Sequence, residues 1–214
     1  MNAKTERMPT LGEEIANAIS HGFGAVSALA ASPFLLVAAS ARGGALAVTS
    51  ASIYCTSLAL LYLSSTLYHA LPQGRAKRVF QIFDHSAIFV LIAGTYTPFA
   101  LGALRGAWGW SVLAAVWSLA VVGIVVEAIG WRYRHIVSMA LYLIMGWLAL
   151  PAMRPIIERV ATPGIILLVI GGVTYTLGVG FYALKKVRYA HLVWHLFVLA
   201  GSAIHFVAVM LYAA

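Results

Sequence analysis

Acidic residues and cysteine are scarce in this chain of 214 residues. Asp and Glu together number six, charged residues of both signs make up 9% of the sequence, and hydrophobic residues reach 62%. Soluble domains carry about 25% charged residues, so the composition excludes an ordinary soluble domain and indicates a membrane protein. The single cysteine, Cys55, lies in an apolar stretch and excludes an intramolecular disulfide. We interpret it as a small packing residue.

Apolar residues are grouped into seven blocks. They span residues 22–41, 46–67, 83–101, 108–130, 136–153, 164–184 and 192–212. Each block approaches the roughly 20 residues that a helix needs to cross a hydrocarbon core of about 30 Å. The short connections predict an all-α integral membrane protein, a bundle of seven transmembrane helices over residues 22–214. Residues 1–21 are predicted to form a cytoplasmic N-terminal segment.

Basic residues are distributed unevenly between the two sets of connections. One set, which includes the N-terminus, contains Lys4, Arg7, Arg75, Lys77, Arg78, Arg132, Arg134, Lys185, Lys186 and Arg188. The other set contains Arg42, Arg105, Arg154 and Arg159. Because Lys and Arg are retained on the cytoplasmic side, we predict a multi-pass membrane protein with the N-terminus inside and the C-terminus outside. The net charge of +8 then reflects topology and attraction to anionic lipids, so no nucleic-acid partner is expected.

Polar residues are concentrated at the predicted cytoplasmic ends of three blocks. Ser65 and His69 end the second block, Asp84 begins the third, and His191 and His195 begin the seventh. Residues four apart share one face of a helix, and a carboxylate near the bilayer core is costly unless it is paired, hydrated or close to a cation. Three imidazoles and a carboxylate predict a tetrahedral metal site that suits zinc best. Hydrogen-bonded packing histidines are the alternative.

Five motifs occur in order along nearly the whole chain. They are Glu14-x-x-Asn17-x-x-x-His21, Ser65-x-x-x-His69, Phe83-Asp84-His85-Ser86, Ala93-Gly94-Thr95-Tyr96-Thr97-Pro98, and His191-x-x-x-His195 followed by His205. Together they resemble the hemolysin III family, the bacterial branch of the progestin and adiponectin receptor group of seven-span proteins. The resemblance implies a zinc ion bound by His69, His191 and His195, with Asp84 and Ser65 beside it as catalytic residues. It also implies a multi-pass protein of the bacterial inner membrane and kinship with ceramidase-like membrane hydrolases.

Three functions remain open at this point. The first is a zinc-dependent hydrolase in which Asp84 accepts a proton from water and a lipid amide or ester is the substrate. The second is a sensor or regulator of membrane state with a structural zinc. Structural zinc is usually enclosed by four protein ligands, so three histidines without a fourth strong ligand favour catalysis. The third, a pore, is disfavoured because the outer halves of the blocks contain few polar residues besides His205.

The remaining polar residues are given supporting roles. We expect His205 to form a hydrogen bond, because it lies about 15 Å along the helix from His195 and is too far away to bind the same ion. For His21 we expect a role at a helix start or in support of the site. His85 and His135, which neighbour polar loops, are expected to face solvent or lipid headgroups. Glu127 is expected to form an ion pair at the membrane interface, near Arg132.

Glycine and proline in two of the blocks predict features of packing. Gly164, Gly171 and Gly178 recur every seven residues and predict a smooth stripe for close helix contact. Pro98 is expected to kink the third block, and the hydroxyl of Thr95 or Thr97 to satisfy a freed backbone group.

Overall fold

The computed structural model describes residues 7–213, so Lys4 and Ala214 lie outside the described residues. These residues form helices and no strands, which confirms the predicted all-α class. The helices are α1 (Leu11–Ala70), α2 (Arg75–Leu101), α3 (Ala107–Ile129), α4 (Arg134–Gly146), α5 (Met153–Arg159), α6 (Thr162–Ala183) and α7 (Ala190–Tyr212). A short 3-10 turn, Leu150–Ala152, connects α4 to α5.

Helix α1 contains two of the predicted blocks. It has 60 residues, and a straight helix of that length would measure about 90 Å, three times the thickness of a hydrocarbon core. The chain instead turns at Gly44, whose φ of 62° and ψ of −151° lie outside the helical region and favour glycine. Beyond this turn the two halves lie side by side, because Ser65 contacts His21 and Thr66 lies next to Gly22. Helix α1 is therefore an antiparallel hairpin.

Six helical stretches are long and apolar enough to cross a membrane, with α4 and α5 together forming one of them. Large apolar side chains cover much of their outer surface; Phe34 and Ile129, for example, are more than 70% exposed. Such a surface is stable in lipid and not in water. The count of seven crossings and the orientation of the termini remain predictions, and the turn at Gly44 accounts for the difference between six helical stretches and seven blocks.

Glycines hold α6 against α7. Gly164, Gly171 and Gly178 are the buried residues of α6, which confirms the predicted stripe. A Cβ atom at Gly171 would lie 2.2 Å from the His205 ring, so only glycine fits this contact. The Nε2–H group of His205 donates to the Leu168 carbonyl at 3.1 Å, as expected for a hydrogen-bonding residue.

The threonines near Pro98 differ from the prediction. Proline at this position leaves the carbonyl of Gly94 without its helical donor. The Thr97 hydroxyl donates to Ala93 and that of Thr95 to Leu91, each at 2.8 Å, so neither satisfies Gly94. Hydroxyls in a helix bond most readily to the carbonyl four residues before them, and this preference fixes their partners.

The bundle has two ends of different chemistry. We call the end that contains the start of α1 and α7 the histidine end; it also contains the end of α1 near His69 and the start of α2. The opposite end, which contains the turn at Gly44, Gly102 and the end of α7, is called the glycine end. Each of the two predicted sets of basic residues lies at one end, apart from Lys4, which is not described.

Candidate metal centre

Three histidines meet at the histidine end. His69 lies in the last turn of α1, and His191 and His195 lie in the first two turns of α7. One ligand atom from each histidine lies within 4.8 Å of the others. The ring centres are 5.1 Å apart for His69 and His191, 5.0 Å for His69 and His195, and 4.7 Å for His191 and His195. The structure therefore brings together the three predicted ligands, close enough to hold a metal ion.

The Nδ1 atom of His69 is held by a carboxylate. It lies 2.7 Å from Oε2 of Glu14, which comes from the first half of the α1 hairpin. The other oxygen of Glu14 pairs with Lys77 at 3.0 Å. An ionised carboxylate only accepts, so Nδ1 of His69 donates and Nε2 keeps its lone pair. This Nε2 atom is buried and has no hydrogen-bond partner, as expected of an atom that faces a metal.

The Nδ1 atom of His195 is held in the same way by a hydroxyl. The Ser20 hydroxyl donates to the Asn17 carbonyl at 2.8 Å, so its oxygen accepts from Nδ1 of His195 at 3.0 Å. His195 is 1% exposed, and its Nε2 atom is likewise left as the ligand atom. Two of the three rings thus have Nδ1 engaged as a donor and Nε2 free to bind an ion, and the residues fit a zinc ion.

The two predicted catalytic residues lie beside the histidines. Ser65 is fully buried, and its side chain interacts with Asp84, which is also buried. Nδ1 of His21 lies 2.6 Å from the Ser65 hydroxyl, and the His21 ring stacks on His195 at 3.5 Å between ring centres. Because α1 begins at Leu11, His21 lies well inside the helix and not at its start, and its contacts are with Ser65 and His195.

Sequence reasoning missed the roles of Glu14 and Ser20. Glu14 belongs to the first of the five motifs, where its spacing of seven residues from His21 places both on one face of a helix. That pattern was the available signal. No sequence pattern pointed to Ser20, because the hydroxyl of a serine in an apolar helix most often bonds to the backbone of its own helix.

The structure differs from the prediction for His85 and, in part, from that for Glu127, which forms an ion pair as predicted but is buried. Glu127 is 1% exposed and lies inside the bundle instead of at the interface. It accepts from Ser138 at 2.5 Å, contacts Nδ1 of His85 at 3.4 Å and lies 3.8 Å from Nε of Arg134, which is its ion-pair partner. His85 is buried by these contacts. Burying a carboxylate is tolerated here because three donors surround it.

Two cavities meet at the site. An apolar cavity of about 100 Å³ lies among α2, α4, α6 and α7; Asp84, His191 and His195 line it together with mostly aliphatic and aromatic side chains. A larger polar cavity of about 310 Å³, which we call the vestibule, is lined by Glu14, His69, Lys77 and other polar residues. Both cavities are lined by His191. The three histidines therefore lie where a polar and an apolar space adjoin.

Comparison with known proteins places the chain in a family. The family model described as "Haemolysin-III related" matches residues 10–206. The chain is 45% identical to "Hemolysin-3 homolog" of Bacillus subtilis (strain 168), over 96% of both chains, and 45% identical to "Hemolysin-3" of Bacillus cereus, over 99% of this chain and 97% of that one.

A more distant relative comes from humans. The chain is 28% identical to "Monocyte to macrophage differentiation factor" of Homo sapiens, over 95% of this chain and 86% of that one. No solved structure matches. The family and the six apolar helical stretches confirm the predicted location as a multi-pass protein of the bacterial inner membrane. The chain belongs to the haemolysin-III-related family, as its five motifs predicted.

Proposed function

We propose that this protein is a zinc-dependent membrane hydrolase that cleaves an amide or ester bond of a membrane lipid. The observation that carries the proposal is the set of three imidazoles with ligand atoms within 4.8 Å of one another, two of them fixed at Nδ1 by partners in α1. His69, His191 and His195 would hold the ion. When bound, zinc supplies a Lewis acid that polarises a carbonyl and makes water more acidic.

Asp84 is the proposed general base. It is a buried carboxylate that borders the apolar cavity, and it lies outside the group of three histidines that could hold the ion. An Asp84 oxygen would accept a proton from the attacking water and then return it to the leaving nitrogen or oxygen as the bond breaks. Ser65, held by His21, keeps the carboxyl group oriented toward the reacting atoms.

The two cavities suit the two parts of a lipid. The apolar cavity is lined mostly by aliphatic and aromatic side chains, which favour an acyl chain. The vestibule supplies the polar surroundings that a headgroup and water need. With seven crossings and the N-terminus inside, the vestibule would face the cytoplasm, and the substrate would come from the inner leaflet.

A second candidate is a regulator of membrane state in which the zinc is structural. The histidines come from both ends of the sequence, so a bound ion would tie α1 to α7. A structural ion is usually enclosed by four protein ligands, however, and the described residues place only three at this point. A pore has less support, since the side chains that line the apolar cavity are mostly aliphatic and aromatic and offer few polar groups to solvate an ion.

The Asp84→Asn variant tests the hydrolase. Zinc content and hydrolysis of fluorescent N-acyl amide and acyl ester lipids in vesicles are measured on purified wild-type and variant protein. We expect hydrolysis to fall by about 100- to 10,000-fold, the usual contribution of a general base, while most of the zinc is retained. Glu158→Gln, the same change in an exposed carboxylate of α5, is the matched control and should leave both unchanged.

Each other outcome identifies a different failure. Hydrolysis at the wild-type rate by Asp84→Asn would show that Asp84 is not the general base. Loss of zinc together with hydrolysis would make Asp84 a ligand or a residue that the ligands require. Zinc in a wild-type protein that hydrolyses no lipid amide or ester would favour the structural role.

A further inference from the structure

We propose that Glu14 is a positioning residue that fixes His69 for metal binding and that Lys77 holds Glu14 in place. The inference rests on the proposed zinc site and extends it to two residues outside the ligand set. Glu14 lies one turn into α1, whereas His69 is 55 positions later, so the contact exists only because α1 folds back on itself. Lys77 comes from a third segment, the first turn of α2.

Both oxygens of Glu14 are occupied. Oε2 accepts from Nδ1 of His69 at 2.7 Å, and Oε1 pairs with the Lys77 ammonium at 3.0 Å. The cation keeps the carboxylate charged, and a charged carboxylate accepts a stronger hydrogen bond from an imidazole than a neutral group does. This bond makes the opposite nitrogen of His69 a better electron donor and aims it at the point where the three histidines meet.

Lys77 is not an ordinary lysine of the membrane interface. An ammonium has three protons to donate, and each has an acceptor here. They are Glu14, the Tyr68 carbonyl at 2.8 Å and the Leu71 carbonyl at 3.2 Å. The two carbonyls flank His69 at the end of α1, where helical carbonyls lack partners. Lys77 therefore holds Glu14 in a fixed position relative to the turn that carries His69.

A purely structural ion pair would give the same contacts but a different result on substitution. Such a pair would change the thermal stability of the protein without changing its affinity for metal. A positioning residue changes the affinity itself, because it orients a ligand and raises the basicity of that ligand in the folded state. Changes in such partners typically weaken metal affinity by about 10- to 100-fold.

The test measures Zn²⁺ dissociation constants of the full-length protein by competition with a chromophoric chelator. For Glu14→Ala we expect affinity to fall by about 10- to 100-fold, and for Glu14→Gln by a smaller factor, because a neutral amide oxygen still accepts from His69. The glutamine variant preserves the shape of the side chain and tests the charge if the alanine variant does not fold. Lys77→Met should resemble Glu14→Gln.

Thr10→Ala is the matched control. Thr10 caps the start of α1 through Glu13 and makes no contact with the histidines, so its loss should cost about 1 kcal/mol of stability and leave zinc affinity unchanged. Unchanged affinity in both Glu14 variants, beside normal zinc binding by the wild type, would overturn this inference and leave the proposed function intact. Equal weakening by Thr10→Ala would overturn it as well. A wild type that binds no zinc would overturn the proposed function itself.

Discussion

The two ends of the bundle are held together by different means. At the histidine end, the helices meet through directed contacts between ionisable or hydroxyl side chains, such as Glu14 with His69 and Ser20 with His195. At the glycine end, they meet through close backbone approaches, as where Gly102 lies against the Ala213 backbone, and through arginine side chains that bond to backbone carbonyls, as Arg42 does to Met210. Polar contacts define the position of particular atoms, whereas glycine contacts define only how closely two helices approach. The difference separates a region in which side-chain atoms are directed at one another from a region in which backbones approach closely.

The middle of α7 shows the transition between the two regions. His195 and His205 lie on the same helix, and both are hydrogen-bonded at one nitrogen. His195 shares its surroundings with three more imidazoles, those of His21, His69 and His191, whereas His205 packs against Gly171 and bonds to a backbone carbonyl. The same residue type therefore serves as a candidate ligand at one end and as a packing residue toward the other.

The two ends of the bundle should differ most in which side of the membrane they face. If the histidine end faces the cytoplasm, a reporter active only inside should give full signal when fused after Lys77. A reporter active only outside should give full signal when fused after Ala214. The physical reason is the retention of the ten basic residues on the cytoplasmic side. The reverse pattern would place the vestibule outside the cell and remove the inner leaflet as the source of substrate.

Substitution of single histidines sharpens the comparison within α7. Loss of a residue that hydrogen-bonds to a ligand typically weakens zinc affinity by roughly 10- to 100-fold. We expect His195→Ala to weaken it by more than this, because the ligand itself is removed. His205→Ala should retain the zinc of the wild type and lose only thermal stability. Zinc content by elemental analysis and unfolding temperature in detergent measure both effects. Equal zinc in the two variants would show that the three-histidine group does not bind the ion.

The smallest expected effect concerns packing toward the glycine end. Gly171→Ala places a methyl group 2.2 Å from the His205 ring and should cost about 1–3 kcal/mol of stability, with zinc affinity unchanged. Gly180→Ala, on the same helix, meets no atom within 4 Å and should be neutral or slightly stabilising. Thermal unfolding of the two variants measures the difference. A loss of zinc in Gly171→Ala would show that packing there controls the metal site.

The sequence predicted the parts of this structure that depend on pattern. Apolar blocks predicted helices, and the spacing of His191 and His195 placed both on one face of α7. The sequence pattern did not predict where α1 begins. Residues 11–21 mix polar and apolar side chains and lack the continuous apolar run of a membrane span. That segment contains Glu14 and Ser20, so the partners of the ligands were missed together with it.

Side-chain contacts between different helices were also not predictable from the sequence. Glu127 was assigned to the interface because Trp131 and Arg132 follow it closely in the sequence. Its partners, His85 and Ser138, come from two other helices, and their direction depends on how each helix is rotated about its axis. Periodicity fixes which residues share a face but not which neighbour that face meets. Only the packed bundle supplies this information.

The turn at Gly44 limits how the length of the chain can change. A single residue joins the two halves of α1, so no loop exists there to absorb an inserted or deleted residue. One extra residue in either helical half would rotate everything beyond it by about 100° and shift it by about 1.5 Å. His69 would then turn away from Glu14, although every side chain of the site would still be present. The number of residues between Glu14 and His69 is thus as much a part of the candidate site as the residues themselves.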